Sequence, residues 1–178
     1  MVITEKCMNK KILIINGSPR AHGNTETIVD SFIKGAEEAG STAVKINIQQ
    51  MDIHPCLGCY GCQMGKGSPC VQKDDMQKVY DAWKDAHTVV FASPIYWMHF
   101  TAQFKNVLDR LFASTALNAK TKDSVLVLTA ASEAEEISQY GRMAESYYEY
   151  LLGVLGYQDR GRILAYGFRI RFKYSNPN

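Results

Sequence analysis

Residues Lys11–Asn16 read KILIIN, with four consecutive aliphatic side chains between polar ends. Side chains along an extended chain alternate between faces, so a run without a polar member must be covered on both sides. That is the pattern of an interior strand in a parallel sheet. Over 24–39 the period changes: Ile28, Val29, Phe32, Ile33, Ala36 and Ala39 form one helical stripe, ended by Gly40. The same alternation continues down the chain. Extended segments are expected at 43–48, 88–93 (TVVFAS, stopping at Pro94), 124–130 (SVLVLTA) and 161–166. Helices are expected at 74–86, with Asp74 or Asp75 as cap, at 135–155 up to Gly156, and around Phe100, Phe104, Val107, Leu108, Leu111 and Phe112. Such alternation with short connections predicts a single α/β domain over 1–178, with a five-stranded parallel sheet and helices on both faces.

A chain of 178 residues is long enough to bury a core. Lys and Arg number 20 against 18 Asp and Glu, and a net charge of +2 argues against a nucleic-acid partner. The sequence has no apolar run of membrane-spanning length, and MVITEKCMNKK has no apolar stretch behind its charges. The expectation is a cytoplasmic protein without a membrane partner. In a reducing compartment, clustered cysteines serve as metal ligands or redox groups more often than as structural disulfides.

In a parallel α/β sheet, ligands bind beyond the carboxyl ends of the strands, where strand order reverses. The first such loop, NGSPRAHGNT at 16–25, leads straight into a helix. Free amides and the dipole at a helix N-terminus attract a phosphate. Ser18, Asn24 and Thr25 can add hydrogen bonds, and Arg20 can add charge. The alternative is a plain turn with Asn24 as N-cap. The loop lacks GxGxxG and has no triphosphate-loop lysine, so a monophosphate fits it better. A second loop, SPIYWMHF at 93–100, presents Tyr96 and Trp97 at the end of another strand. Aromatic rings there suit a flat heterocycle, although packing of the loop on the sheet is the simpler reading. Together, a phosphate cradle and an aromatic wall describe a site for flavin mononucleotide (FMN).

NGSPR-x-x-GNT, the cysteine-rich stretch ending CVQKDDM, and SPIYW-x-x-x-TAQFKNVLDR resemble the flavodoxin-like NAD(P)H-dependent FMN reductases. The cysteine spacing is similar to that of the iron–sulfur flavoproteins in that group. The resemblance runs from about Lys11 to Tyr166 and implies strand order 2-1-3-4-5 with FMN at the carboxyl edge. By motif position, Ser18, Arg20, Asn24 and Thr25 would hold the phosphate, and Pro94, Ile95, Tyr96 and Trp97 would line the ring. The loop from Thr129 and Ala130 to Ser132 would close the third side. Lys105, Asp109 and Arg110 match a family pattern and are read as structural.

Cys56, Cys59 and Cys62 recur every third residue, and Cys70 follows seven residues further on. Repeated CxxC steps plus one distant cysteine can wrap a 4Fe–4S cluster, with Gly58, Gly61, Gly65 and Gly67 letting the backbone bend. A free-thiol loop, a zinc site and a disulfide remain alternatives. Zinc is the poorer fit, because structural zinc usually takes two separated CxxC pairs. Cys7 is given no role.

The implied activity is hydride transfer from NAD(P)H to FMN and onward to a flavin, quinone or other small-molecule acceptor. The alternatives are an electron carrier reduced by ferredoxin and a metal- or redox-sensing module without turnover. No catalytic residue is assigned. His99 lies near the aromatic loop but is read as a packing residue. The family pattern continues into a final covering helix, whereas 168–174 alternates Phe168, Ile170, Phe172 and Tyr174 with basic residues, which is strand periodicity. Without that helix the sheet would be partly uncovered, so a homodimer or homotetramer is expected.

Overall fold

A computed structural model of the chain describes residues 10–65, 69–117, 122–131 and 134–167. Five strands form one sheet: β1 (Lys11–Asn16), β2 (Thr42–Asn47), β3 (Thr88–Pro94), β4 (Asp123–Thr129) and β5 (Gln158–Ala165). Their order is β2-β1-β3-β4-β5 and every pairing is parallel. The helices α1 (Asn24–Glu38), α2 (Met76–Asp85), α3 (Ala102–Arg110) and α4 (Ala134–Leu155) connect them. This is the flavodoxin-like arrangement expected from the sequence.

Burial follows the apolar runs. Residues 12–16 of β1 and 88–93 of β3 are buried throughout, while β2 and β5, at the edges, are largely half-buried or exposed. Alternate side chains of the inner strands feed two cores. Leu13, Ile15, Val89, Phe91, Leu126 and Leu128 face α2, α3 and α4, with Trp83, Phe104 and Tyr148 packed among them. Ile12, Ile14, Val90, Ala92 and Val127 face the other way, against Val29, Ile28, Phe32 and Ile33 of α1. The second core is much the smaller. Ile163 of β5 is exposed and lies outside both cores.

Three boundaries differ from expectation for local reasons. β5 begins at Gln158 rather than 161, because Gln158 pairs with Asp123 before a register shift between Ser124 and Val125. Gly161, at φ 147°, absorbs that shift. The early part of this edge strand is polar and exposed, so hydrophobic period could not reveal it. The helix expected to reach Phe112 ends at Arg110, and a 3-10 segment, Leu111–Leu117, continues from it. Asn24 is not the N-cap of α1: Gly23 holds that position and no side chain caps the helix. The alternating segment 168–174 lies outside the described residues.

Candidate functional site

The parallel register brings the ends of β1, β3 and β4 to one edge, and hydrogen bonds tie the loops beyond them together. Gly17 N–H donates to Ala92 C=O (2.8 Å), and Thr101 Oγ1 donates to Gly17 C=O (2.8 Å). Ile95 N–H donates to Thr129 C=O (2.8 Å), and the Thr25 and Thr129 hydroxyls share a buried bond of 2.7 Å. A Cβ on Gly17 would lie 2.7 Å from Phe104, so the close approach of this loop to α3 requires glycine.

The predicted phosphate residues divide into two kinds. Ser18 and Thr25 are buried and shape the loop. Ser18 N–H donates to Asn16 Oδ1 (3.1 Å), and Ser18 Oγ accepts from Arg20 N–H (3.2 Å). Arg20 and Asn24 are exposed at the mouth of the turn. The first-turn amides of α1 have no intrahelical acceptor, and no side-chain cap supplies one. Glu26 stands in that turn, but its carboxylate is engaged. A hydrogen bond from Lys45 (2.9 Å), then the His22 amide, hold its pKa below the usual value.

Across the edge, Tyr96–Trp97–Met98–His99 makes a tight turn closed by Tyr96 N–H to His99 C=O (2.8 Å) and His99 N–H to Tyr96 C=O (3.1 Å). Trp97 and Met98 both have positive φ, 45° and 69°, a combination that turns of this kind usually fill with Asn or Gly. Non-glycine residues in this region store backbone strain, which concentrates at ligand-binding sites. The turn lifts the Trp97 ring almost wholly into solvent, 93% exposed, with Tyr96 at 41% beside it. Pro94 and Ile95 are half-buried below. Thr129 is buried as scaffold, Ala130 N–H donates to Ala165 C=O (2.9 Å), and Ser132 lies outside the described residues. His99 packs edge-on to Phe100 and Tyr147, and burial, then Lys105, hold its pKa below the usual imidazole value. It sits near neutral pH as an uncharged packing group, in line with the simpler expectation for it.

The cysteine loop hangs beside α3. Cys56, Cys59, Cys62 and Cys70 are free thiols, and all four line one cavity of about 400 Å³ with Tyr60 and Phe112. Gly58 and Gly65 have positive φ, as does Tyr60 (φ 55°). A Cβ on Gly61 would meet Val71 at 2.6 Å. Gly67 lies outside the described residues. Gly58 N–H points at Cys56 Sγ (3.5 Å), and Gln63 Nε2 ties the loop to Phe112 C=O (3.0 Å) and Thr115 Oγ1 (3.1 Å). Among the described residues, no three His, Cys, Asp or Glu side chains converge closely enough to hold a single metal ion. The four thiols therefore share a cavity without being drawn to one point.

Four residues that brace these loops were given no site role from the sequence, where Arg110 was read as structural and Asp74 as a possible helix cap. Asn16 and Thr101 anchor the loop after β1, and Arg110 and Asp74 pin the cysteine loop through a buried ion pair. A polar residue ending an apolar strand was the available signal for Asn16. Asp74 and Arg110 lie 36 residues apart, and nothing local links them.

Residues 10–143 match the NADPH-dependent FMN reductase family. The chain belongs to that family. An iron–sulfur flavoprotein of Archaeoglobus fulgidus is 34% identical over 133 residues, covering 73% of this chain and 60% of the relative. One from Methanosarcina thermophila is 31% identical over 115 residues, covering 65% of this chain and 59% of the relative. The chain thus spans about three-fifths of the length of these two relatives. Among solved structures, a NAD(P)H:quinone oxidoreductase from Methanothermobacter marburgensis superposes with a TM-score of 0.74. It covers 90% of this chain and 85% of its own at 16% identity, a likeness of fold. No helix among the described residues is long and apolar enough to cross a membrane.

Proposed function

We propose that this member of the FMN reductase family binds FMN between Gly17–Thr25 and Pro94–Trp97 and oxidises NAD(P)H. The observation that carries this reading is an uncapped helix N-terminus set opposite a strained, ring-presenting turn on loops cross-bonded to one another. The first-turn amides of α1, with Arg20 and Asn24, would take the phosphate. Ser18, Thr25 and Thr129 hold the loops at fixed separation. Tyr96 and Trp97 would exclude water from one side of the ring. Bound there, FMN would supply the redox chemistry linking NAD(P)H to a flavin, quinone or other small acceptor. No protein acid or base is needed for the hydride step, and none is assigned.

Cys56, Cys59, Cys62 and Cys70 would hold a 4Fe–4S cluster. Tetrahedral zinc, with Zn–S near 2.3 Å, would need the four sulfurs within about 4 Å of one another. Four thiols spread round one cavity suit a wider, multi-iron group better. α3 joins the two sites: Thr101, before its first turn, bonds the phosphate loop, and Arg110, its last residue, braces the cysteine loop, about 13.5 Å away along the axis. A second reading is an electron carrier reduced by ferredoxin, favoured by the exposure of Cys56 and Cys59 at the cavity rim.

Steady NADH or NADPH consumption by the FMN-loaded protein, with a quinone as acceptor, supports the enzyme. Reduction by ferredoxin without NAD(P)H turnover supports the carrier and refutes the enzyme. We further propose that a second copy of the chain covers Ile163 and the open part of the α1 face. A monodisperse monomer in light scattering at micromolar concentration would exclude this.

A further inference from the structure

Helix α4 carries two apolar faces where a surface helix needs one. Ala144, Tyr148 and Leu152 are buried in the core beneath it. On its far side Met143, Tyr150 and Val154 stand in solvent, 59%, 77% and 61% exposed, with Tyr147 half-buried beside them. At 3.6 residues per turn these four side chains leave the helix within about 60° of one another, as one stripe. None of them is charged. The acids on the helix flank, Glu145 and Glu149, are engaged by Arg162 (3.4 and 2.7 Å). Tyr147 is held edge-on by His99 and Phe100, at centroid distances of 5.3 and 5.9 Å, with Lys105 over its ring. A side chain fixed in this way loses little freedom on being covered. His99 also closes the turn that presents Trp97, so the stripe adjoins the ring side of the candidate site.

The order of the positions points to what covers them. Met143, Tyr147, Tyr150 and Val154 are separated by four, three and four residues, intervals that read the same in both directions. A second α4, antiparallel and related by a two-fold axis between Tyr147 and Tyr150, sets Met143 against Val154 and Tyr147 against Tyr150. Every pair is apolar, and a patch that matches itself is what an isologous contact between identical chains requires. Gly153 borders the stripe, and a Cβ there would meet nothing within 4 Å. Glycine in a helix costs up to about 1 kcal/mol relative to alanine, and close approach of a second helix gives that position a use. With aromatic side chains of about 150–250 Å² each, the exposed parts of the stripe supply roughly 400 Å² of the ~800 Å² per partner that a stable interface buries, leaving the polar flanks to form the rim. A net charge of +2 opposes the approach of two copies only weakly.

We propose that two copies of the chain pair through the outer faces of their α4 helices, antiparallel, with Met143 of each copy against Val154 of the other. This surface lies across the sheet from α1, so it is separate from the contact proposed at the α1 face. It depends on neither FMN nor a cluster.

The test uses charge exchange in the full chain: wild type, M143K, V154E and M143K/V154E. Both positions are exposed, and an unchanged far-ultraviolet circular dichroism spectrum verifies that each variant folds. Sedimentation velocity over a concentration series at micromolar protein gives the assembly size and its dissociation constant. Each single variant sets a charge against an apolar partner and should dissociate at least tenfold more readily than wild type, or drop one assembly step. Within one chain the two positions lie about 16 Å apart along the axis, too far to pair. Across the proposed contact they meet twice, so M143K/V154E should associate roughly tenfold more tightly than either single variant. A wild type that stays monomeric, or single variants that assemble as wild type does, overturns the interface. Loss of assembly in both single variants without recovery in the double overturns the antiparallel pairing.

Discussion

Replacing Gly17 by alanine tests whether the loop after β1 is held as tightly as its contacts imply. The added methyl carbon would lie 2.7 Å from Cβ and Cδ2 of Phe104 and 2.8 Å from Cγ. The Phe104 ring has little room to yield, since it is fully buried between Phe91 and Phe100, with centroid separations of 6.2 and 5.2 Å. The backbone cannot withdraw cheaply either, because Gly17 N–H and C=O are each held by a 2.8 Å bond, to Ala92 and from Thr101. Overpacking of this kind costs about 1–3 kcal/mol. For a chain of this length that is a fall in melting temperature of about 2–12 °C. Thermal unfolding followed by circular dichroism measures it, with G65A as the control. Gly65 has φ 68° and nothing within 4 Å of an added Cβ, so only backbone strain, about 1 kcal/mol, applies there. Melting of G17A within a degree of wild type would refute the argument that the loop is locked.

Three further outcomes follow. R20A should weaken FMN binding roughly tenfold, as loss of one charge-assisted contact to phosphate, while riboflavin affinity stays unchanged in a fluorescence titration. T129V leaves the buried Thr25 hydroxyl without its 2.7 Å partner and should cost about 1–3 kcal/mol in urea unfolding. Asp123, although burial alone would raise its pKa, is held below its ordinary value of 3.8 by hydrogen bonds from Lys10 and Arg160. A carboxylate whose folded pKa is depressed adds stability that is full above its unfolded value and lost as pH falls through the folded one. Wild type should therefore lose stability below about pH 4, and D123N should be less stable at neutral pH with a shallower acid limb.

How much of this was legible in the sequence depended on how many residues each feature spans. β1 and β3 show themselves as unbroken apolar runs because both faces are buried. The first three residues of β5 are polar and exposed at an edge and leave no apolar period to detect. The loops at the carboxyl edge were found because their chemistry is local: small residues before a helix and rings after a strand. Their division of labour was not, since Ser18 and Thr25 look as available as Arg20 and Asn24 until the Thr25–Thr129 bond shows which are scaffold. The spacing of Cys56, Cys59, Cys62 and Cys70 pointed to a shared site, and one cavity collects them. What braces that cavity, Arg110 on Asp74, joins elements distant in sequence and became visible only in three dimensions.

The central claim is that the loops beyond β1 and β3 enclose FMN by both its phosphate and its ring. Titrating FMN and riboflavin separately into the purified protein, with quenching of flavin fluorescence as the signal, tests it most directly. Saturation at one FMN per chain, with riboflavin bound at least tenfold more weakly, is the expected result. Equal affinity for the two flavins would show that the α1 N-terminus does not hold a phosphate, and no quenching by either would contradict the site altogether.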